Sequence, residues 1–289
     1  MRRFLRGLAA LCLLGSVLML PSPAHAATGQ YTFNTGSMAA GSSQTWGWNN
    51  AGTGNAYEVG LSPRGATAAS TCEFEVVRDW YAQRLNGSAS EIEFWFTVKN
   101  VGAITCTADV TLAWNSTSGA MPALSAAPGK TAGTWYYYDP APASTAITVA
   151  LIPSGGTSAD PCQYEIEHMQ VVVSSGERRH GITVTNVGAI TCSVTVRVAP
   201  VASSSSWSTG TMTPMTTKTW RWNNANPLTA VHTVTLNPNQ DGRYFSIERK
   251  WYLQRINTNG STEREFWLTV KHYNSPADST AQVLLARAA

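Results

Sequence analysis

The chain has 289 residues, 43% of them hydrophobic, and includes 11 Trp; that much apolar and aromatic surface excludes an intrinsically disordered chain. Its formal charge of +3 says little, because Arg2, Arg3 and Arg6 stand in the first 26 residues with no acid among them. The remainder carries 17 basic and 17 acidic side chains, a neutral balance that gives no reason to expect a nucleic-acid partner.

In chain order, the three arginines precede an apolar stretch from Gly7 to Leu20, and Ala24-His25-Ala26 offers small residues at the −3 and −1 positions. This predicts a signal peptide over residues 1–26, cleaved after Ala26, and a secreted, extracellular mature chain. The rival is a membrane anchor, for which the stretch is short. Ordinary unfolded export is favoured over the twin-arginine route. Cys12 follows Leu11 inside the apolar run, which does not suit a lipoprotein site. No later stretch is apolar enough to span a membrane.

Three copies of one unit follow. Gly36-Ser37-Met38, Gly119-Ala120-Met121 and Gly210-Thr211-Met212 open them. Trp46-Gly47-Trp48-Asn49-Asn50, Trp135-Tyr136-Tyr137 and Trp220-Arg221-Trp222-Asn223-Asn224 come next, then Leu61 to Pro63, Leu151 to Pro153 and Leu236 to Pro238. Trp80-Tyr81-Ala82-Gln83-Arg84 matches Trp251-Tyr252-Leu253-Gln254-Arg255, and the run from Glu93 to Lys99 matches Glu265 to Lys271. Asn100 to Cys106 matches Asn186 to Cys192. Repeats of this length suit small sandwiches rather than solenoid turns. The boundaries predicted are 27–116, 117–205 and 206–289, with Ser203 to Ser206 as a short flexible linker.

Within a unit the apolar residues alternate. Cys72, Phe74, Val76, Arg78 and Trp80 fall on one face; so do Phe94, Phe96 and Val98; so do Cys106, Ala108, Val110 and Leu112. Period-two alternation predicts antiparallel sheets with one buried face each, packed in pairs. Asn49-Asn50, Asn86-Gly87 and Asn259-Gly260 read as turns, and no segment keeps a helical period. The run Thr97-Val98-Lys99-Asn100-Val101-Gly102 resembles the strand-turn signature of bacterial immunoglobulin-like (cell-adhesion-related type) β-sandwich repeats. The likeness spans about ten residues per unit and is weakest in unit three, which reads Lys271-His272-Tyr273-Asn274. It implies an all-β fold of three tandem Ig-like sandwiches and an extracellular setting, and carries no site residues across.

Removing the signal leaves Cys72, Cys106, Cys162 and Cys192. Their matched places predict disulfides Cys72–Cys106 and Cys162–Cys192; the chain has no close Cys-x-x-Cys pair, which counts against a metal. Unit three carries Arg243 and Asp278 at the corresponding places and lacks the bond.

For function, a hairpin register pairing Trp80 with Phe94 sends both rings inward, with Trp251 and Phe266 likewise. It leaves Tyr81 and Trp95, and Tyr252 and Trp267, as outward diagonal neighbours. With Gln83, Arg84 and Lys99, and Gln254, Arg255 and Lys271, they form a candidate binding face for a protein partner, for a glycan stacked on the rings, or for packing between units. Unit two lacks it, with Val171 and Gly181 there. His168 and His180 fall on the inward rows of its hairpin, diagonal to each other; a structural role is favoured over a metal pair or a pH switch. Arg78 and Arg249 match His168, as if a buried polar residue belonged there. Glu91 with Glu93, and Glu263 with Glu265, lie side by side on one face, whereas glycosidases place carboxyls on either side of a bond. No nucleophile elbow, zinc helix or phosphate loop occurs, so the expectation is a non-enzyme with no cofactor, metal ligand or catalytic residue.

Charge is uneven along the repeat: four basic against seven acidic side chains in 27–116, four against five in 117–205, and nine against five in 206–289. Acidic unit one would then meet basic unit three of another copy, or unit three would dock on an anionic envelope polymer, or the imbalance is drift between duplicates. The sequence thus predicts a secreted binding or adhesion protein for an extracellular protein or glycan, with a structural assembly subunit as a further reading.

Overall fold

A computed structural model describes residues 28–49, 51–139, 144–223, 225, 231–273 and 277–288. The predicted signal peptide and the second residues of the Asn49-Asn50 and Asn223-Asn224 pairs lie outside them. The fold is all-β and antiparallel throughout its named strands. Unit one contributes β1 (Gly29–Asn34), β2 (Ser43–Trp48), β3 (Asn55–Arg64), β4 (Cys72–Asn86), β5 (Ala89–Asn100) and β6 (Thr107–Ser116). Unit two has β7 (Leu124–Ala126), β8 (Thr131–Asp139), β9 (Thr145–Ser154), β10 (Cys162–Ser174), β11 (Glu177–Asn186) and β12 (Cys192–Ser208). Unit three has β13 (Thr217–Asn223), β14 (Val231–Pro238), β15 (Tyr244–Ile256), β16 (Thr262–His272) and β17 (Ala281–Ala288).

Each unit has two layers. In unit one the inner layer runs β1-β6-β3 and the outer β2-β5-β4. The alternating apolar faces meet between them: Tyr57 of β3 stacks on Phe94 of β5 at 5.3 Å between ring centres, and Leu61, Phe96, Val98 and Val110 are at most 1% exposed. Burying one such side chain contributes about 1.5–3 kcal/mol. The tight turns hold where the sequence places them, with Gly87 at φ 64° and Gly260 at φ 79°, values that glycine reaches without a Cβ clash. Both disulfides form, Cys72–Cys106 and Cys162–Cys192, each worth about 2–4 kcal/mol in the chain-entropy account. In unit three the bridge Met212↔Ser279 repeats Met38↔Cys106. Ser279, not Asp278, therefore stands where Cys106 does, one residue off the sequence alignment.

Two expectations fail. Ser203 to Ser206 is no linker. It lies inside β12, whose first part pairs with β9 and whose last part, Ser203 to Ser208, pairs with Leu284 and its neighbours on β17. Serine tolerates a half-buried strand once ladder bonds satisfy its backbone, and composition alone did not show that partner. Nor is there a row of separate sandwiches. The start of β10 pairs with the end of β4, the start of β15 with the end of β10, and the start of β4 with the end of β15. Three long strands thus make a closed triangle at the hub of one nine-stranded sheet, and the buried apolar side chains form a continuous core through all three units. Acidic unit one does meet basic unit three, but within one chain: Arg249 to Glu75 at 2.7 Å and Lys250 to Glu58 at 2.7 Å.

Native-state proteolysis checks the continuous strand. A broad-specificity protease is expected to leave Ser203 to Ser206 intact at concentrations that cut exposed turns; a first cut there, releasing unit three, would contradict it.

Candidate functional site

The outer face is set by one irregularity. Each hub strand skips a residue in pairing with its hairpin partner, at Val77, Glu167 and Glu248. An extra residue reverses the alternation beyond it. Trp80 therefore faces Trp95 across the ladder and Tyr81 faces Phe94, the opposite phase to that expected. Tyr81 and Tyr252 are core residues, each 4% exposed, not platform residues. Burial is the main cause that raises both phenols' pKa well above the ordinary value. Trp80 and Trp251, expected inside, are half-buried on the outer face.

There they form ladders. Arg78 lies over Trp80 at 4.7 Å, and Trp80 stacks on Trp95 with ring centres 5.9 Å apart. Trp95 packs over Gly47, where a Cβ would come within 2.8 Å of its ring. Unit three repeats the order with Arg249, Trp251, Trp267 and Arg221. Each inner indole donates to a carboxylate, Trp95 to Glu93 at 2.9 Å and Trp267 to Glu265 at 2.8 Å. Arg84 and Arg255 bridge to those same acids, so the paired glutamates anchor the ladder. Lys99 is half-buried opposite Glu75, and Lys271 sits 4.5 Å from the Tyr273 ring. Unit two carries exposed Tyr136 and Tyr138, 58% and 52% exposed, with Arg179 over Tyr138 at 4.8 Å. The alternation in Tyr136-Tyr137-Tyr138 was the sequence signal for these, and it went unread.

The remaining expected residues belong to seams between units. The Gln83 side-chain oxygen accepts from the Gly156 amide at 2.7 Å, and that of Gln254 accepts from Ala66 at 3.1 Å. At the third seam Asp241 accepts instead from the Ser175 and Gly176 amides. Arg78 and Arg249 are exposed, not buried, and bridge to Glu165 and Glu75 of the next unit. His168 and His180 are not neighbours. The bulge turns His168 out against Tyr273 at the seam with unit three, while His180 is fully buried. Desolvation lowers the His180 pKa, with Asp139 opposing. Among the described residues no group of three or more His, Cys, Asp or Glu side chains is arranged to hold a metal ion.

On the axis of the triangle lies a funnel of about 410 Å³. Its mouth is formed by the bulged residues Val77, Glu167 and Glu248, all exposed. Below them stand Asp79, Met169 and Lys250, then Glu58, Thr148 and Thr233 from β3, β9 and β14. Thr148 and Thr233 share a hydrogen bond at 3.2 Å. Asp79 is exposed at the funnel, and crowding by its walls raises the carboxyl to about 6, chiefly through desolvation; Lys250 and the residue's own backbone amide oppose this, and Glu58 and Glu165 add to it. None of these was singled out beforehand. The one sequence sign was chemical difference at matched places. His232, on β14, is buried against Phe266, and desolvation lowers it to about 4.

Comparison of the chain with protein-family models, curated proteins and solved structures gives no match. Among the described residues no helix is long and apolar enough to cross a membrane.

Two melting series check the electrostatics. A carboxyl raised on folding contributes stability at low pH that is lost as pH climbs through about 4 to 6. Asp79→Asn is therefore expected to melt higher than the parent at pH 7.5 and equally at pH 4; equal melting at both would contradict the raised carboxyl. A histidine lowered on folding contributes stability that is lost as pH falls below about 6.5 towards 4. His232→Ile, using the residue Ile147 that unit two carries, is expected to gain most over the parent near pH 4.5.

Proposed function

We propose that the chain is a secreted, non-enzymatic binding protein, three Ig-like units following a cleaved signal peptide, which engages an extracellular protein partner through its outer sheet. The strand orders β2-β5-β4 and β3-β6 match the B-E-D and C-F cores of an immunoglobulin sandwich, with β1 on the edge that a final strand would take. Two disulfides fit an oxidising compartment.

The observation that carries the reading is the composition of the outer face. Half-buried or exposed aromatic rings interleave with arginines in all three units, the pairing that dominates protein–protein contacts. A glycan platform is less well supported. Stacked sugars need a free ring face, and those of Trp80, Trp95, Trp251 and Trp267 are covered largely by one another or by guanidinium groups. Head-to-tail assembly loses its charge argument, since the acidic and basic units already meet within the chain.

Pulldown from extracellular material with the mature protein, beside a Tyr136→Ser, Tyr138→Ser, Arg179→Ser triple variant, tests this. Loss of a specific protein partner, by about tenfold or more in affinity with unchanged melting, is the expected result. Retention of insoluble polysaccharide by both proteins, with no protein partner, would move the assignment to a lectin.

A further inference from the structure

We propose that units two and three form an acid-sensitive half of the ring, in which protonation of two buried histidines, His180 and His232, loosens the seam the units share. Unit one, residues 27–116, holds no histidine and stays closed. The device lies in the core and stands apart from the outer-sheet reading.

His180, on β11, is fully buried, and neither of its ring nitrogens has a hydrogen-bonding partner. Units one and three carry Phe94 and Phe266 at the matched places, so the imidazole occupies a position suited to an apolar ring. The titratable groups facing it are Tyr137 and Asp139 from β8 and Arg178 from its own strand. Asp139 Oδ2 stands 3.9 Å from His180 Nε2, beyond hydrogen-bonding distance. That oxygen already accepts from Arg178, and from Thr145 at 2.7 Å. Arg178 is itself fully buried and donates across the seam to the Leu236 carbonyl of β14 at 3.5 Å. Arg178 and Asp139 cancel each other's charge. A proton on His180 therefore puts one uncompensated positive charge beside a guanidinium at the seam, with no water to screen it.

His232 lies on β14 next to Thr233, whose hydroxyl bonds Thr148 of unit two at 3.2 Å. It is buried against Phe266, and both of its ring nitrogens lack partners. The titratable groups facing it are Arg287, paired with it on β17, and Tyr252 from β15; neither supplies a negative charge near neutral pH. Units one and two carry Tyr57 and Ile147 at the matched places. Desolvation is the first cause that holds both imidazoles below the ordinary value. The opened form takes up protons that the closed form excludes, so acid favours opening. His272, also buried, differs in bonding the Met212 carbonyl through Nδ1 at 3.0 Å.

Hydrogen exchange of the mature protein at pH 7.5 and pH 5, read by NMR and corrected for slower chemical exchange in acid, tests this. Protection of β10, β11 and β14 is expected to fall in acid by about tenfold or more per histidine, while that of β5 and β6 holds. His180→Phe and His232→Ile, each taking a residue from a matched place, are expected to recover about tenfold apiece and together to abolish the acid loss. If His180→Phe fails to fold, His232→Ile alone decides, by recovering part of the loss or none. No fall in the parent, an equal fall in all three units, or a fall undiminished by the variants overturns the proposal.

Discussion

The fold depends on the mutual pairing of three long strands, β4, β10 and β15. Three straight strands cannot each run antiparallel to both of the others. These do so because each is long enough to give its first part to one neighbour and its last part to the other. Between those parts lies a bulge in every copy, where a strand gains the bend and extra twist that a triangle requires. The outer sheets radiate from this hub, and β3, β9 and β14 are drawn together beneath it. Each unit therefore completes its neighbour's sheet as well as its own core.

The seams show how repetition tolerates divergence. One junction is pinned by Gln83, one by Gln254, and the third by Asp241 reaching the other way across the same gap. Arg78–Glu165 and Arg249–Glu75 hold two of the junctions on the outer face, where an exposed pair contributes about 0–1 kcal/mol. At the third, His168 meets Tyr273 instead. Small individual contributions suffice because the strand pairing has already brought the groups together. Apolar burial and the ladder bonds hold the ring; the charged groups add to seams that the strand pairing has already closed.

The axis shows the other consequence of unequal copies. Matched places at a threefold centre all point at one another, so whatever they carry is forced into company. Asp79, Met169 and Lys250 occupy one such set, and Glu58, Thr148 and Thr233 another. Three identical carboxylates there would repel. A carboxylate, a thioether and an ammonium instead put Asp79 in the favourable field of Lys250. His232 follows the same logic in reverse: it stands in the core where its matched place carries Ile147, and it is tolerated by remaining neutral.

The sequence by itself determined the all-β class, the three repeats, the turn at Asn86-Gly87, the buried rows of β5 and β6, and both disulfides. All of these follow from local alternation or from residues matched between copies. Tertiary structure decided the rest. A bulge leaves no mark in composition, yet it moved Tyr81 and Tyr252 into the core and Trp80 and Trp251 out of it, because one extra residue reverses every side chain beyond it. Ring closure depends on pairings between distant segments, and it turned Gln83 and Gln254 from candidate ligand contacts into pins between units. It also brought the acidic first unit against the basic third and created the funnel, which exists only where all three copies meet.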